Sequence, residues 1–328
     1  MNKCISTQIK GVAILMMIWL HCFSSTQGGV YYDFLIFGEQ FSHFLTRATN
    51  PVEFFIILSG YGLYCLFQSK HKIDVWKRAL HLYCLFLISF IIFVSIGCLI
   101  KPNIYPGGII EFIQNITTWH TTYNHTWWFL FPYLVTLLLS NWIFRFLHKN
   151  SIITVSIAAI IYITCYFISW MQYHNYLSIS FWCHQFIKTL DFFLPFIIGA
   201  CIAKYNIIER INARIGQKKF VFIIALVILL ILRLSTDFDF GIQLLYAIVF
   251  IIIYALIPQN RYISIFLEHM GKHSATMWFT HAFFIWYLFN DYFYALRYPI
   301  LIFLATIGAS YSIALPTDAL YRKLIKMK

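Results

Sequence analysis

The chain has 328 residues, of which 61% are hydrophobic and only 11% are charged, whereas about 25% of residues are charged in an ordinary soluble domain. A soluble core cannot bury that much apolar surface, so the composition excludes a soluble globular protein and favours one embedded in a lipid bilayer. The net charge of +12 lies mostly in loops between apolar runs, so we attribute it to membrane topology rather than to nucleic-acid binding.

Apolar runs along the chain predict about ten transmembrane helices, because each crossing needs roughly 20 apolar residues. The runs do not alternate with polar residues, which argues against barrel strands. We therefore expect an all-α, polytopic integral membrane protein in which residues 1–328 form a single membrane-embedded domain. The predicted spans are residues 5–23, 52–67, 79–100, 127–146, 152–170, 190–203, 219–233, 242–257, 274–290 and 299–318.

The loops between these spans differ in charge, and the difference predicts an orientation. If the N-terminus is cytoplasmic, most of the 24 Lys and Arg residues fall on the cytoplasmic side, as the positive-inside rule requires. We therefore expect both termini in the cytoplasm and a multi-pass protein of the cytoplasmic (inner) membrane.

The first predicted span carries two polar side chains, Lys10 and His21. Polar residues within a bilayer are costly, so each needs a structural or functional reason. The spacing corresponds to about three helical turns, which puts both side chains on one face, roughly 16 Å apart along the axis. In a purely structural explanation, Lys10 extends to the membrane interface and His21 forms an ordinary interhelical hydrogen bond.

The second span has Glu53 next to its first residue, Val52, and continues through Ser59-Gly60. Glu53 is expected at the outer end of its helix, at a depth similar to that of His21. A carboxylate beside an imidazole fixes its tautomer and raises its basicity, as a general base requires. The alternative is a carboxylate that only stabilises the start of a helix. Ser59 could donate a hydrogen bond to a substrate.

Four segments in order along the chain resemble the acyltransferase 3 family, whose members acylate surface polysaccharides and other acceptors. These segments are Lys10-x10-His21, Glu53-Phe54-Phe55 with Ser59-Gly60, Trp127-Trp128-Phe129-Leu130, and Gly271-Lys272-His273-Ser274 with Trp278 and His281. The family often shows an R-x-x-R pair after its second span. Here Arg78 occupies the first of these positions and His81 replaces the second arginine.

The resemblance implies a membrane O-acyltransferase that takes an acyl group, most simply acetyl, from acyl-CoA (acetyl-CoA) as cytoplasmic co-substrate. The acceptor would be a sugar hydroxyl of a surface or exported carbohydrate, lipid-linked or polymeric. Because CoA carries several phosphate charges, Lys10, Lys77 and Arg78 are the expected CoA-binding residues. The positive-inside rule alone would also explain Lys77 and Arg78.

In this interpretation His21 is the general base or a transient acyl carrier, and Glu53 orients it. The expected substrate-binding residues are Ser59, Trp127, Trp128 and His281. No metal is expected, because the eight cysteines form no C-x-x-C pair and lie mostly in apolar runs. The competing functions are a transporter or flippase for a lipid-linked glycan, and a non-catalytic membrane partner. A transporter usually shows repeated halves with broken helices, which the sequence lacks.

Overall fold

A computed structural model describes residues 1–25, 31–215, 220–236 and 241–326, and nearly all of these residues are helical. Two short antiparallel strands, β1 (Leu35–Ile36) and β2 (Glu39–Gln40), follow the first helix. The helices are α1 (Lys3–Phe23), α2 (Phe41–Thr46), α3 (Val52–Lys70), α4 (Val75–Ile100), α5 (Ile109–Ile116), α6 (Leu130–Lys149), α7 (Ser151–Tyr173), α8 (Phe181–Asp191), α9 (Phe193–Lys204), α10 (Ile207–Ile215), α11 (Phe220–Leu234), α12 (Ile242–Leu256), α13 (Arg261–Ala282), α14 (Asn290–Tyr294) and α15 (Pro299–Lys326). A 3₁₀-helix (His125–Phe129) precedes α6, and a π-helical turn (Phe283–Tyr287) follows α13.

Seven helical segments in the described ranges are long and apolar enough to cross a membrane, which confirms an all-α, polytopic membrane protein. They are Lys3–Phe23, Val52–Lys70, Val75–Ile100, His125–Lys149, Ser151–Tyr173, Phe181–Lys204 and Pro299–Lys323. The apolar helices α11 and α12 have 15 residues each, or about 22 Å, which is less than the hydrocarbon thickness of about 30 Å. Ten crossings and two cytoplasmic termini stay predictions.

Two of the predicted spans differ in extent from the helices that form them. The span predicted at residues 190–203 lies almost entirely in α9, and α8 extends the segment back to Phe181. The span predicted to start at residue 274 begins thirteen residues earlier, at Arg261, because charged side chains interrupt the hydropathy of the first half of α13. Residue 219, where another span was expected to start, lies outside the described residues.

Helices α1 and α13 pack backbone to backbone through reciprocal glycines. A Cβ atom at Gly11 of α1 would overlap the carbonyl of Leu267, and a Cβ atom at Gly271 of α13 would overlap the carbonyl of Thr7. Small residues allow such close approach between membrane helices. This contact fixes α1 and α13 in register with each other, and both helices carry residues of the site described below.

The same arrangement joins α3 to α9. A Cβ atom at Gly60 would overlap the carbonyl of Phe196, and a Cβ atom at Gly199 would overlap the carbonyl of Ile57. The rotation of α3 about its own axis is therefore set by its contact with α9, and this decides which cavity each α3 side chain faces.

A polar contact joins α13 to α15. His273 pairs with the carboxylate of Asp318 through its Nδ1, and the hydroxyl of Thr276 donates to the other oxygen of that carboxylate at 2.8 Å. Charge-assisted hydrogen bonds of this kind are among the stronger contacts between helices. They hold α13 between α1 and α15.

Candidate active site

The last turns of α1 and α13 bring His21 and His281 together. Nδ1 of His21 lies 2.6 Å from Nε2 of His281, and the two rings are nearly parallel, with their centroids 4.9 Å apart. His281 is completely buried, whereas His21 remains partly accessible. Of the two residues, His21 is therefore the one with exposed surface.

Hydrogen bonds assign a tautomer to each ring. Nδ1 of His281 lies 2.8 Å from the carbonyl oxygen of Trp278, which can only accept, so this nitrogen carries the proton. In the neutral ring Nε2 of His281 is then an acceptor, and Nδ1 of His21 is its donor. The lone pair of His21 consequently lies on Nε2, which is the state that a general base requires.

The π-helical turn after α13 places Trp286 against His21. The centroids of the two rings are 4.9 Å apart, and their planes are tilted by 56°. The indole nitrogen of Trp286 is buried and has no hydrogen-bond partner within the described segments. Buried polar groups are rarely left unpaired, and π-helical turns often occur at functional sites. Trp286 is therefore a candidate donor to a substrate oxygen beside His21.

Two hydrogen bonds hold the π-helical turn, one from the end of α4 and one from the 3₁₀-helix. Nζ of Lys101 donates to the carbonyl oxygen of Tyr287 at 2.5 Å. The hydroxyl of Tyr287 accepts a hydrogen bond from the backbone N–H of His125 at 2.9 Å. These contacts connect the turn that carries Trp286 to the end of α4 and to the 3₁₀-helix.

A cavity of about 710 Å³ lies between α1, α3, α4, α6 and α13, and we call it the basic cavity because Lys10, Arg78 and His81 line it. Ser59 and Tyr133 form part of its wall and share a hydrogen bond of 2.7 Å. Positive side chains converging on one cavity favour an anionic ligand. His81, which replaces the second arginine of the family's R-x-x-R pair, lines the same wall as Arg78 and presents a ring nitrogen there.

Trp278 connects the basic cavity to the histidine pair. Its side chain lines the cavity, and its carbonyl group accepts the hydrogen bond from His281. Lys10 lies in the cavity about three turns of α1, or roughly 16 Å, from His21. At the N-terminus and along α1 the lining extends from Met1 to Lys10, so His21 lies beyond the cavity and is joined to it through Trp278 and His281.

Glu53 lies in a second cavity, of about 280 Å³, together with Trp128, Lys188 and Asp191. We call it the carboxyl cavity. His21 is not part of its lining, and Nδ1 of His21 bonds to His281. The side chain paired with His21 is thus His281, whereas Glu53 projects from the face of α3 that is turned toward α7 and α8.

The 3₁₀-helix distributes three consecutive aromatic rings to three places, because successive side chains diverge by about 120° at three residues per turn. Trp127 is fully buried in the core, and its Nε1 donates to the carbonyl of Phe279 at 2.9 Å. Trp128 lines the carboxyl cavity, and Phe129 lines the basic cavity. Of the two tryptophans expected to bind substrate, only Trp128 therefore faces a cavity.

Two of the three expected CoA-binding residues line the basic cavity, and the third does not. Lys10 and Arg78 line the basic cavity, whereas Lys77 is exposed and is not part of its lining. The backbone N–H of Lys77 bonds to the side chain of Asp74 at 3.0 Å, as part of the cap at the start of α4. Lys77 therefore belongs to the start of α4 and its surface.

Sequence reasoning missed Trp286, Lys188 and Asp191. Nothing in the apolar run around Trp286 indicates a π-helical turn or an unpaired indole. Lys188 lies before the span predicted at residues 190–203, but α8 extends this segment back to Phe181 and so includes Lys188. The sequence signal for Lys188 and Asp191 is a pair of opposite charges beside an apolar run.

The helical fold defines a polytopic membrane protein, and its basic cavity lies beside a pair of contacting histidines. A family model described as an acyltransferase domain matches residues 7–317, so the chain belongs to the acyltransferase 3 family. It is thus a membrane acyltransferase with an acyl donor and an acceptor, which favours the enzyme over the transporter. In the comparisons with curated proteins and with solved structures, nothing matches.

Proposed function

We propose that the protein transfers an acyl group, most simply acetyl, from cytoplasmic acyl-CoA to a sugar hydroxyl of a surface or exported polysaccharide. The observation that carries this proposal is the basic cavity lined by Lys10 and Arg78, whose wall residue Trp278 accepts a hydrogen bond from His281 of the His21–His281 pair. Arginine and lysine suit the phosphate groups of CoA. The long pantetheine arm would bring the thioester along α1 toward His21.

The positive-inside orientation supports the cytoplasmic origin of the donor. The N-terminal end of α1, including Asn2 and Lys3, contributes to the wall of the basic cavity. If that end of the helix is cytoplasmic, as the loop charges predict, acyl-CoA enters from the cytoplasm of a cell whose inner membrane holds the protein. His21 then lies nearer the opposite surface, where an exported glycan is found.

In the proposed reaction His21 acts as general base. Its Nε2 takes the proton of the acceptor hydroxyl while the hydroxyl oxygen bonds to the thioester carbonyl carbon. The N–H at Nδ1 donates to Nε2 of His281, which stabilises the imidazolium ion. The tetrahedral intermediate then breaks its C–S bond, and the sulfur takes the proton back from His21. The products are the acylated sugar and CoA, with no net release of a proton.

The tetrahedral intermediate carries negative charge on the former carbonyl oxygen, and this oxygen needs a hydrogen-bond donor. The unpaired indole N–H of Trp286 beside His21 supports its assignment to this role. Lys101 would act indirectly, by holding the π-helical turn.

The test is acyl transfer by protein in lipid nanodiscs, with radiolabelled acetyl-CoA and the glycans extracted from the host membrane. We expect His21→Ala to lower the rate by about 10²–10⁴-fold while acetyl-CoA still binds. His148→Ala, which removes an exposed histidine at the end of α6, is the control and should transfer at the normal rate. Undiminished transfer by His21→Ala at normal protein levels would reject the mechanism.

A further inference from the structure

The carboxyl cavity brings ionisable side chains into the membrane-crossing part of the fold. Glu53 comes from α3, and His184, Lys188 and Asp191 come from α8, which belongs to a segment apolar enough to cross a membrane. Placing such side chains in a bilayer is costly, and they usually mark a site with a function. The mechanism proposed above uses none of them.

Several polar groups of this cavity lack hydrogen-bond partners. Oδ1 of Asp191 and Nδ1 of His184 are buried, and neither has a partner among the residues that the structure describes. The ammonium group of Lys188 lies over the ring of Trp128, 5.3 Å from its centroid. A buried carboxyl oxygen that no donor reaches is costly, so these groups are arranged for a ligand that completes their hydrogen bonds.

The mixture of groups restricts the chemistry of that ligand. An anion would be repelled by Glu53 and Asp191, and Lys188 already places one positive charge beside these two carboxyl groups. The described residues include no group of three or more His, Cys, Asp or Glu side chains that could hold a metal ion. Hydroxyl groups both donate and accept, and the ring of Trp128 offers a flat apolar surface. These properties together fit a sugar ring.

Size and position agree with a sugar. A volume of about 280 Å³ is just below the range of about 300–1,000 Å³ for small-molecule sites, so the cavity suits one ring rather than a longer chain. Phe192 lines the carboxyl cavity, Phe129 lines the basic cavity, and their ring centroids are 4.8 Å apart. Phe129 also contacts Trp278, at 4.5 Å between centroids. The Phe129–Phe192 ring contact thus joins the linings of the two cavities.

We propose that the carboxyl cavity is an acceptor subsite, which binds one sugar unit of the glycan while another unit is acylated at His21. The inference rests on the proposed function, because it names the place where the acceptor of that reaction is held. Asp191 and Glu53 accept hydrogen bonds from sugar hydroxyls, Lys188 donates to one, and Trp128 packs against the ring face.

The kinetic test compares Asp191→Ala and Lys188→Met with wild type, using extracted host glycan and acetyl-CoA as substrates. We expect the KM for glycan to rise about tenfold or more, whereas the Kd for acetyl-CoA and the kcat at saturating glycan stay within about twofold of wild type. Thr189→Val is the matched control, because the Thr189 hydroxyl bonds to the carbonyl of Gln185 within α8. An unchanged KM, or an equal loss of acetyl-CoA binding and kcat, would overturn the subsite.

Direct binding provides a test that does not need catalysis. Saturation-transfer NMR is measured on the protein in nanodiscs with the methyl glycosides of glucose, galactose, N-acetylglucosamine and rhamnose. We expect ring-proton signals from at least one glycoside, and their loss in Asp191→Ala or, if that variant does not fold, their weakening in Asp191→Asn. Signals that survive both substitutions, no signal from any glycoside, or a tightly bound phospholipid that only wild type retains would overturn the proposal.

The two tests separate this inference from the function on which it rests. Glycoside binding that depends on Asp191, in a protein that transfers no acyl group to any glycan, would reject the proposed function and support a sugar site. Acyl transfer with an unchanged glycan KM in Asp191→Ala would reject the subsite and support the function.

Discussion

Replacing Trp286 by phenylalanine would remove the indole N–H while keeping an aromatic ring against His21. In the structure this N–H has no partner in the described ranges, and the ring lies 4.9 Å from the His21 ring. If it binds the oxyanion, its loss costs what one such donor contributes, about 2.7–4 kcal/mol of transition-state stabilisation, or about 10²–10³-fold in kcat. The KM for acetyl-CoA and for glycan should change little, because the donor acts mainly in the transition state.

The assay is steady-state acyl transfer in nanodiscs over a range of pH. Trp286→Phe should lower kcat equally at every pH, because His21 remains the titrating base, whereas a change in the basicity of His21 would shift the midpoint of the profile. Trp19→Phe is the matched control on α1, since its indole nitrogen already donates to the carbonyl of Ser42 at 3.0 Å. A kcat within about threefold of wild type for Trp286→Phe would refute the reasoning.

Two further predictions concern the helix contacts and the donor cavity. Gly60→Ala should lower the free energy of unfolding by about 1–3 kcal/mol and reduce the Tm, because the added Cβ meets a backbone carbonyl of α9 that cannot move aside. Gly62→Ala, where a Cβ would meet nothing within 4 Å, should leave the Tm unchanged, and equal Tm values would contradict the packing argument. Lys10→Ala should raise the KM for acetyl-CoA about tenfold or more, because a hydrogen bond to a charged group contributes about 1.5–3 kcal/mol. Lys77→Ala should change it less than twofold, and equal effects of the two substitutions would argue against the basic cavity as the donor site.

Hydropathy predicts the helices that are apolar along their whole length. The spans expected at residues 79–100 and 152–170 fall inside α4 and α7, Val75–Ile100 and Ser151–Tyr173. It fails for the first half of α13, where charged residues such as Glu268 and Lys272 lie among apolar ones. Those residues lie beside the N-terminal end of α1, and Glu268 accepts from the Cys4 thiol at 2.6 Å. Tertiary contacts, which the sequence does not display, stabilise that part of the helix.

In the site, helical periodicity predicts which residues share one face of a helix, whereas helix packing determines which cavity that face lines. Helical spacing places Lys10 and His21 on one face of α1, and the structure puts Lys10 in the basic cavity and His21 against His281. For Glu53 the sequence indicates only a depth in the membrane. The direction of its side chain depends on the rotation of α3, which the contact between Gly60 and α9 sets. The same limit applies to Trp127, because an apolar run does not reveal a 3₁₀-helix.

The reciprocal glycines make each of the two helix pairs a rigid strut, since neither partner can slide by one residue without a backbone collision. The basic cavity takes walls from both struts: Lys10 and Gly271 belong to one, and Ser59 belongs to the other. A movement that widens the cavity would therefore displace the two struts as whole bodies. Because His21 and His281 belong to the same strut, their mutual distance is conserved throughout such a movement.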